Sequence, residues 1–191
     1  MPEATIYLIK ALGDLLTLAI LFNFLFRLFK VDYFNPIVQG IVRTVDLPIN
    51  FIRGFLRPIF NFDIASIFLA ILIQTLCLYL VVISGALNAN FFMLLYWSFY
   101  GVLLLLIKIL FYSMFAGIIL SWISPQNNHP AVRLVFQLSE PLFLPFRKIL
   151  PPMGGLDFSP ILAFIALNFL EAIIRNLASQ SGVPYGTLMG F

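Results

Sequence analysis

Apolar positions run almost unbroken through residues 6–29, 64–87, 91–123 and 160–178, and twice between these runs the pattern changes character. In residues 37–45 the apolar side chains Ile37, Val38, Ile41, Val42 and Val45 recur three and four apart, with Gln39, Arg43 and Thr44 off that stripe; residues 131–138 repeat the arrangement. The long runs predict transmembrane helices, and the striped segments predict amphipathic helices lying in the membrane interface. The stretch 91–123 would measure about 50 Å as one helix, against a hydrocarbon core of about 30 Å. A span over about 99–123 is therefore expected, with Tyr96, Trp97, Phe99 and Tyr100 as an aromatic belt at its outer end. Pro48 and Pro58 in the first striped segment, and Pro141, Pro145, Pro151 and Pro152 in the second, are expected to cut each into short helices.

The two intervening segments are copies of one another. Displaced by 94 residues, Pro36 falls on Pro130, Asp46 on Glu140, Arg53 on Arg147 and Asp63 on Asp157, while Pro48 with Pro141 and Pro58 with Pro151 align at 93. Each repeat reads span, surface segment, span. Residues 1–93 hold spans at about 6–29 and 64–87 around the surface segment 30–63; residues 94–191 hold spans at about 99–123 and 160–178 around the segment 124–159. Two crossings return the chain to its starting side, so the repeats are parallel, related by an axis along the membrane normal. The expected fold is an all-α membrane protein of about four transmembrane helices, each repeat carrying a cytoplasmic, proline-rich interfacial segment.

Composition agrees: 62% of residues are hydrophobic and 10% charged, far from the roughly 25% charged of an average globular chain. Eight of the eleven Lys and Arg residues (Arg27, Lys30, Arg43, Arg53, Arg57, Arg133, Arg147, Lys148) lie in or beside the surface segments. By the positive-inside rule both segments face the cytoplasm, against anionic headgroups. The N-terminal stretch, lacking a basic start and carrying Glu3, reads as an uncleaved first span. Cys77 is the only cysteine and makes no intramolecular disulfide.

The segment SEPLFLPFRKILPPMGGLDFSP resembles the signature of the YggT family of small bacterial inner-membrane proteins. The matching positions are Glu140, Pro141, Pro145, Arg147, Lys148, Pro151, Gly154, Gly155, Asp157, Ser159 and Pro160, and Asn35 with Pro36 behind Tyr33 and Phe34 matches the entry to the family's first copy. The first copy departs from the pattern, with Leu47-Pro48 opposite Glu140-Pro141, Gly54 behind Arg53, and Asn61-Phe62 opposite Gly154-Gly155. The resemblance implies a multi-pass protein of the bacterial inner (plasma) membrane. It also implies an association with osmotic stress tolerance and ion balance, with photosynthetic relatives tied to nucleoid distribution and cytochrome biogenesis. No catalytic residues come with it.

Ionisable groups inside spans mark candidate functional positions, and here they are Asp14, Lys108 and Glu171. Lys108 and Glu171 are placed to pair across spans three and four, while Arg175, one turn beyond Glu171, competes as its partner. Ser113, Gly117 and Ser121 form a small-residue stripe that favours close helix packing. Gly154 and Gly155 ahead of Asp157 read as a tight turn capping the helix that Pro160 opens, or as a phosphate site beside Arg147 and Lys148. His129, the sole histidine, reads as a turn residue. With no Cys/His cluster, neither a metal, a cofactor nor an enzyme activity is expected. Two functions remain. One is support of ion or osmotic homeostasis, with charge carried on Asp14, Lys108 and Glu171, a conducting form requiring a homo-oligomer. The other is a non-conducting scaffold that recruits cytoplasmic or membrane-protein partners through Glu140, Arg147, Lys148 and Asp157. Nucleic acid is not expected to bind directly.

Overall fold

The computed structural model describes residues 3–85, 87–124, 127–150 and 157–182. Six helices follow in chain order among them: α1 (Glu3–Leu28), α2 (Pro36–Arg53), α3 (Ile64–Ile83), α4 (Phe91–Ile123), α5 (Pro130–Ile149) and α6 (Ser159–Ser179). α1, α3, α4 and α6 are long and apolar enough to cross a bilayer. Local signals set the ends. The side chains of Asn35, Asn90 and His129 accept hydrogen bonds from the Ile37, Met93 and Ala131 N–H groups at the starts of α2, α4 and α5. Pro36 and Pro130 occupy the first turn, where no N–H is needed. α1 stops where Lys30 takes a φ of 55° and the Val31 N–H bonds back to the Phe26 carbonyl at 2.8 Å.

Within each repeat the first spanning helix packs on the second, and the amphipathic helix touches both. α3 also packs on α4, which joins the repeats. The largest core gathers Ile20, Leu21, Phe24 and Leu25 of α1 with Val38, Val45 and Ile49 of α2, Ala65 and Leu69 of α3, and Val102 and Leu105 of α4. In the second repeat Met114, Phe143 and Ala163 bring α4, α5 and α6 together. The buried stripes of α2 and α5 follow the apolar spacing, since Val38 and Val45 are fully buried and Val132, Leu134 and Leu138 nearly so, but Ile37, expected on the α2 stripe, is exposed at the helix start. The two surface helices are tied at their starts. The Asn35 side chain donates to the Pro130 carbonyl at 2.7 Å, the Asp32 N–H donates to Gln137 Oε1 at 3.3 Å, and Arg133 pairs with Asp32 at 3.4 Å.

One sequence expectation is corrected. Three prolines do not cut the surface segments where expected: α2 continues through Pro48, ending before Pro58, and α5 continues through Pro141 and Pro145. Pro48 forfeits the bond to the Thr44 carbonyl, but Thr44 is exposed, so solvent can satisfy that group. Pro151 and Pro152 lie outside the described residues. The helix that carries the third span extends beyond the 99–123 expected to cross the bilayer, because α4 runs unbroken over 33 residues from its Asn90 cap. Its extra turns have a packing partner, as Leu94 and Trp97 bury against Leu78 of α3. The belt is accordingly divided. Tyr96 and Phe99 face outward, whereas Trp97 turns inward and donates to the Ser181 carbonyl at 3.2 Å, and Tyr100 is buried.

Candidate functional site: a duplicated arginine clamp

The last turn of α2 and the last turn of α5 each carry an arginine that turns back on its own repeat. Arg53 donates from Nε to Asp63 Oδ2 at 3.1 Å and binds the same oxygen through Nη2, while its Nη1 lies 3.9 Å from Asp46. Arg147 donates from Nε to Asp157 Oδ2 at 2.7 Å and from Nη1 to Glu140. The four residues that coincide at a displacement of 94 therefore include one recurring device, an acid seven positions before the arginine and another ten after it. The first acid shares the arginine's helix; the second sits immediately before the next span. Each clamp fastens an amphipathic helix to the spanning helix that follows.

Environment separates the copies. The Asp63 side chain has no accessible surface, accepts from Ser66 Oγ at 2.9 Å, and has Arg27 Nε at 3.8 Å. Burial pushes its carboxyl up, but hydrogen bonds from Arg53 and Ser66, with the charges of Arg53 and Arg27, outweigh that and hold it below the ordinary carboxylate value. In the second copy the Glu140 and Asp157 side chains are 49% and 29% exposed. Burial likewise pushes Asp157 up, and bonds from Ser159 and Arg147 bring it net down. Asp157 Oδ1 accepts from the Ser159 N–H at 2.9 Å, which starts α6 beside Pro160. A cavity of about 570 Å³ opens against this second clamp, lined in part by Gly117, Ser121, Ser139 and Phe164.

The remaining predicted positions scatter. Glu171 pairs with Arg175, whose Nε and Nη2 donate to Glu171 Oε1 at 2.9 and 2.7 Å. Of the two partners foreseen for Glu171, the ion pair formed is the one along α6. Lys108 of α4 instead lines an apolar opening with Leu18, Phe22, Tyr112, Leu134 and Leu138. Asp14 sits half-buried on α1, one turn beyond Lys10. Lys148 is exposed next to the clamp and takes no part in it. Gly117 of the small-residue stripe backs on α5, where an added Cβ would stand 2.5 Å from Ser139 Oγ. Gly154 and Gly155 lie outside the described residues, and Arg147 spends Nε and Nη1 on two carboxylates. Sequence reasoning read Arg53 as facing headgroups. Its acid–Arg–acid spacing, repeated in both copies, was the signal for the clamp.

The model of the CCB3/YggT family matches residues 2–84 and again 96–178, two segments that are themselves 94 apart. The chain belongs to the CCB3/YggT family. An uncharacterised protein of Pseudomonas aeruginosa is 40% identical over 184 residues, covering 95% of this chain and 93% of the relative. The uncharacterised protein YggT of Escherichia coli K12 is 28% identical over 182 residues, 92% of each. The uncharacterised ycf19 protein of Guillardia theta is 34% identical over 95 residues, which is 49% of this chain but 99% of that relative, so that relative is about as long as one repeat. No solved structure gives a significant match. The CCB3/YggT match and the six-helix fold agree on two copies of one three-helix unit.

Proposed function

We propose that this chain is a scaffold of the bacterial inner membrane that holds two basic amphipathic helices in fixed register on the cytoplasmic surface. On this reading it supports ion and osmotic balance through the partners those helices recruit, and no ion crosses the chain itself. The clamps carry the argument, because Arg53 and Arg147 anchor α2 and α5 to the carboxylates that precede the following spans. Several polar groups within the spans are engaged along their own helix: Glu171 by Arg175, Ser113 by the Ile109 carbonyl, Thr75 by Ile71 and Thr17 by Gly13. Side chains satisfied along their own helix do not form a relay. Lys30, Arg43, Arg57 and Lys148 stay exposed for anionic headgroups or an acidic partner.

The test is flux through the purified chain in sealed vesicles loaded with pH- and cation-sensitive dyes. Flux equal to that of protein-free vesicles is expected for the unsubstituted chain and for Glu171→Gln. Selective flux that falls in Glu171→Gln or Lys108→Leu would refute the scaffold. Cysteine labelling at Arg43→Cys and Lys148→Cys, in a Cys77→Ser background, should mark both sites from the cytoplasmic side.

A further inference from the structure

The two repeats use one clamp in different surroundings. Beside Asp63 the space is filled: Arg27 approaches it, Ser66 donates to it, and Asn23 donates to Ser66 at 3.3 Å. Ninety-four positions on, Asn23 becomes Gly117, Arg27 becomes Ser121 and Ser66 becomes Pro160. A guanidinium is thus replaced by a hydroxymethyl group and an amide by a hydrogen against which Ser139 of α5 packs, and the cavity of about 570 Å³ is lined by Gly117, Ser121 and Ser139. Its volume is within the roughly 300–1,000 Å³ of small-molecule sites.

Chemistry around the cavity is divided. Ile118, Phe143, Ile161 and Phe164 supply an apolar lining. It lies where α4 ends and α6 begins, with Trp122 standing 85% exposed beside it, the position of a membrane interface rather than of the hydrocarbon centre. At the clamp, two carboxylates face one guanidinium. Glu140 Oε2 and Arg147 Nη2 have no bonding partner among the described residues, so an acceptor and a donor are open together.

We propose that this cavity binds a phospholipid whose headgroup carries a primary ammonium next to its phosphate. An acyl chain enters between α4, α5 and α6, the ammonium donates to Glu140, and the phosphate accepts from Arg147. A purely anionic headgroup meets a clamp of net negative charge. A quaternary ammonium has no N–H to give Glu140. In the first repeat Asn23 and Arg27 stand against the clamp, and the opening of about 430 Å³ beyond Arg27, lined by Lys30, Tyr33 and Phe60, is not lined by Asp46, Arg53 or Asp63. Lipid binding here is separable from partner recruitment, and either can fail without the other.

The experiment uses the full chain in mild detergent with equal amounts of phosphatidylethanolamine, phosphatidylglycerol and phosphatidylcholine, the retained lipid being read by native mass spectrometry. Phosphatidylethanolamine should be retained about tenfold over the other two, the size of one charge-assisted hydrogen bond. Ser121→Arg, which restores the first repeat's side chain at the equivalent exposed position, should abolish retention with thermal melting unchanged. Glu140→Gln should bring the preference over phosphatidylcholine down to about twofold. Should Ser121→Arg lower the melting temperature, Ile161→Trp at the exposed edge of the cavity serves as the blocking variant. Equal retention of the glycerol or choline lipid, no retained lipid, or full retention by a folded blocking variant overturns the proposal.

Discussion

Replacing Arg53 by alanine strips both arginine hydrogen bonds from a carboxylate with no accessible surface. Asp63 keeps only Ser66 at 2.9 Å and Arg27 at 3.8 Å. Breaking a buried ion pair from one side costs about 3–5 kcal/mol, and the remaining Arg27 charge places the expected loss near the lower end, about 3 kcal/mol. The same change at Arg147 releases Glu140 and Asp157, whose side chains are 49% and 29% exposed and regain water, so about 0–1 kcal/mol is expected. For a chain of this size about 2–4 °C accompanies each kcal/mol, which gives a fall of about 6–12 °C for Arg53→Ala and under about 4 °C for Arg147→Ala. Tryptophan fluorescence of the chain in nanodiscs reads both through Trp97 and Trp122. Equal shifts, or a larger one for Arg147→Ala, would refute the assignment of a sealed clamp to the first repeat and an open one to the second. The double variant Arg53→Ala/Asp63→Asn carries no uncompensated charge at the sealed position 63, leaving only the partly exposed Arg27 and Asp46 without these partners, and should melt above Arg53→Ala alone. A lower melting point would mean that the cost lies in lost packing of the arginine stem.

Three further outcomes follow from the same geometry. Asp63, held below its ordinary value of 3.8, contributes stability that is complete above its unfolded pKa and is lost as pH falls through the lowered folded value. The melting temperature should therefore hold level from neutral pH to about pH 5 and drop below about pH 4, a drop that Asp63→Asn flattens. Lys30→Gly, at a φ of 55°, should raise stability by about 1 kcal/mol in the same melting assay. Gly117→Ala places a Cβ 2.5 Å from Ser139 Oγ and 3.0 Å from its Cβ, so a loss of about 1–3 kcal/mol is expected. Adding Ser139→Gly to that variant should recover most of the loss.

The spans and the duplication were legible because each rests on many positions at once: uncharged residues 64–87 have one outcome in lipid, and a 94-residue displacement is not disturbed by any single side chain. Helix continuity through Pro48 was not legible. The proline rule counts a lost bond, whereas the outcome depends on whether the Thr44 carbonyl is exposed, which only the packed helix shows. The full length of α4 was not legible for a related reason. Bilayer thickness limits what must be apolar, but contact between Leu94, Trp97 and Leu78 extends what is helical. Positive charge counting assigned Arg53 to headgroups, though the paired acids at 46 and 63 were visible in the chain. The contrast between the clamps was out of reach for a different reason. It depends on Asn23 and Arg27 against Gly117 and Ser121, residues from a third helix whose depth relative to the clamp is a tertiary fact.

The bonds from Asn35 to Pro130 and from Asp32 to Gln137 and Arg133 make the front ends of α2 and α5 a single mechanical hub. Their far ends are pinned separately by Arg53 and Arg147 to different spans. A tug on either surface helix is thereby transmitted to both halves of the molecule, and a relative of single-repeat length would need a second chain to complete the same yoke.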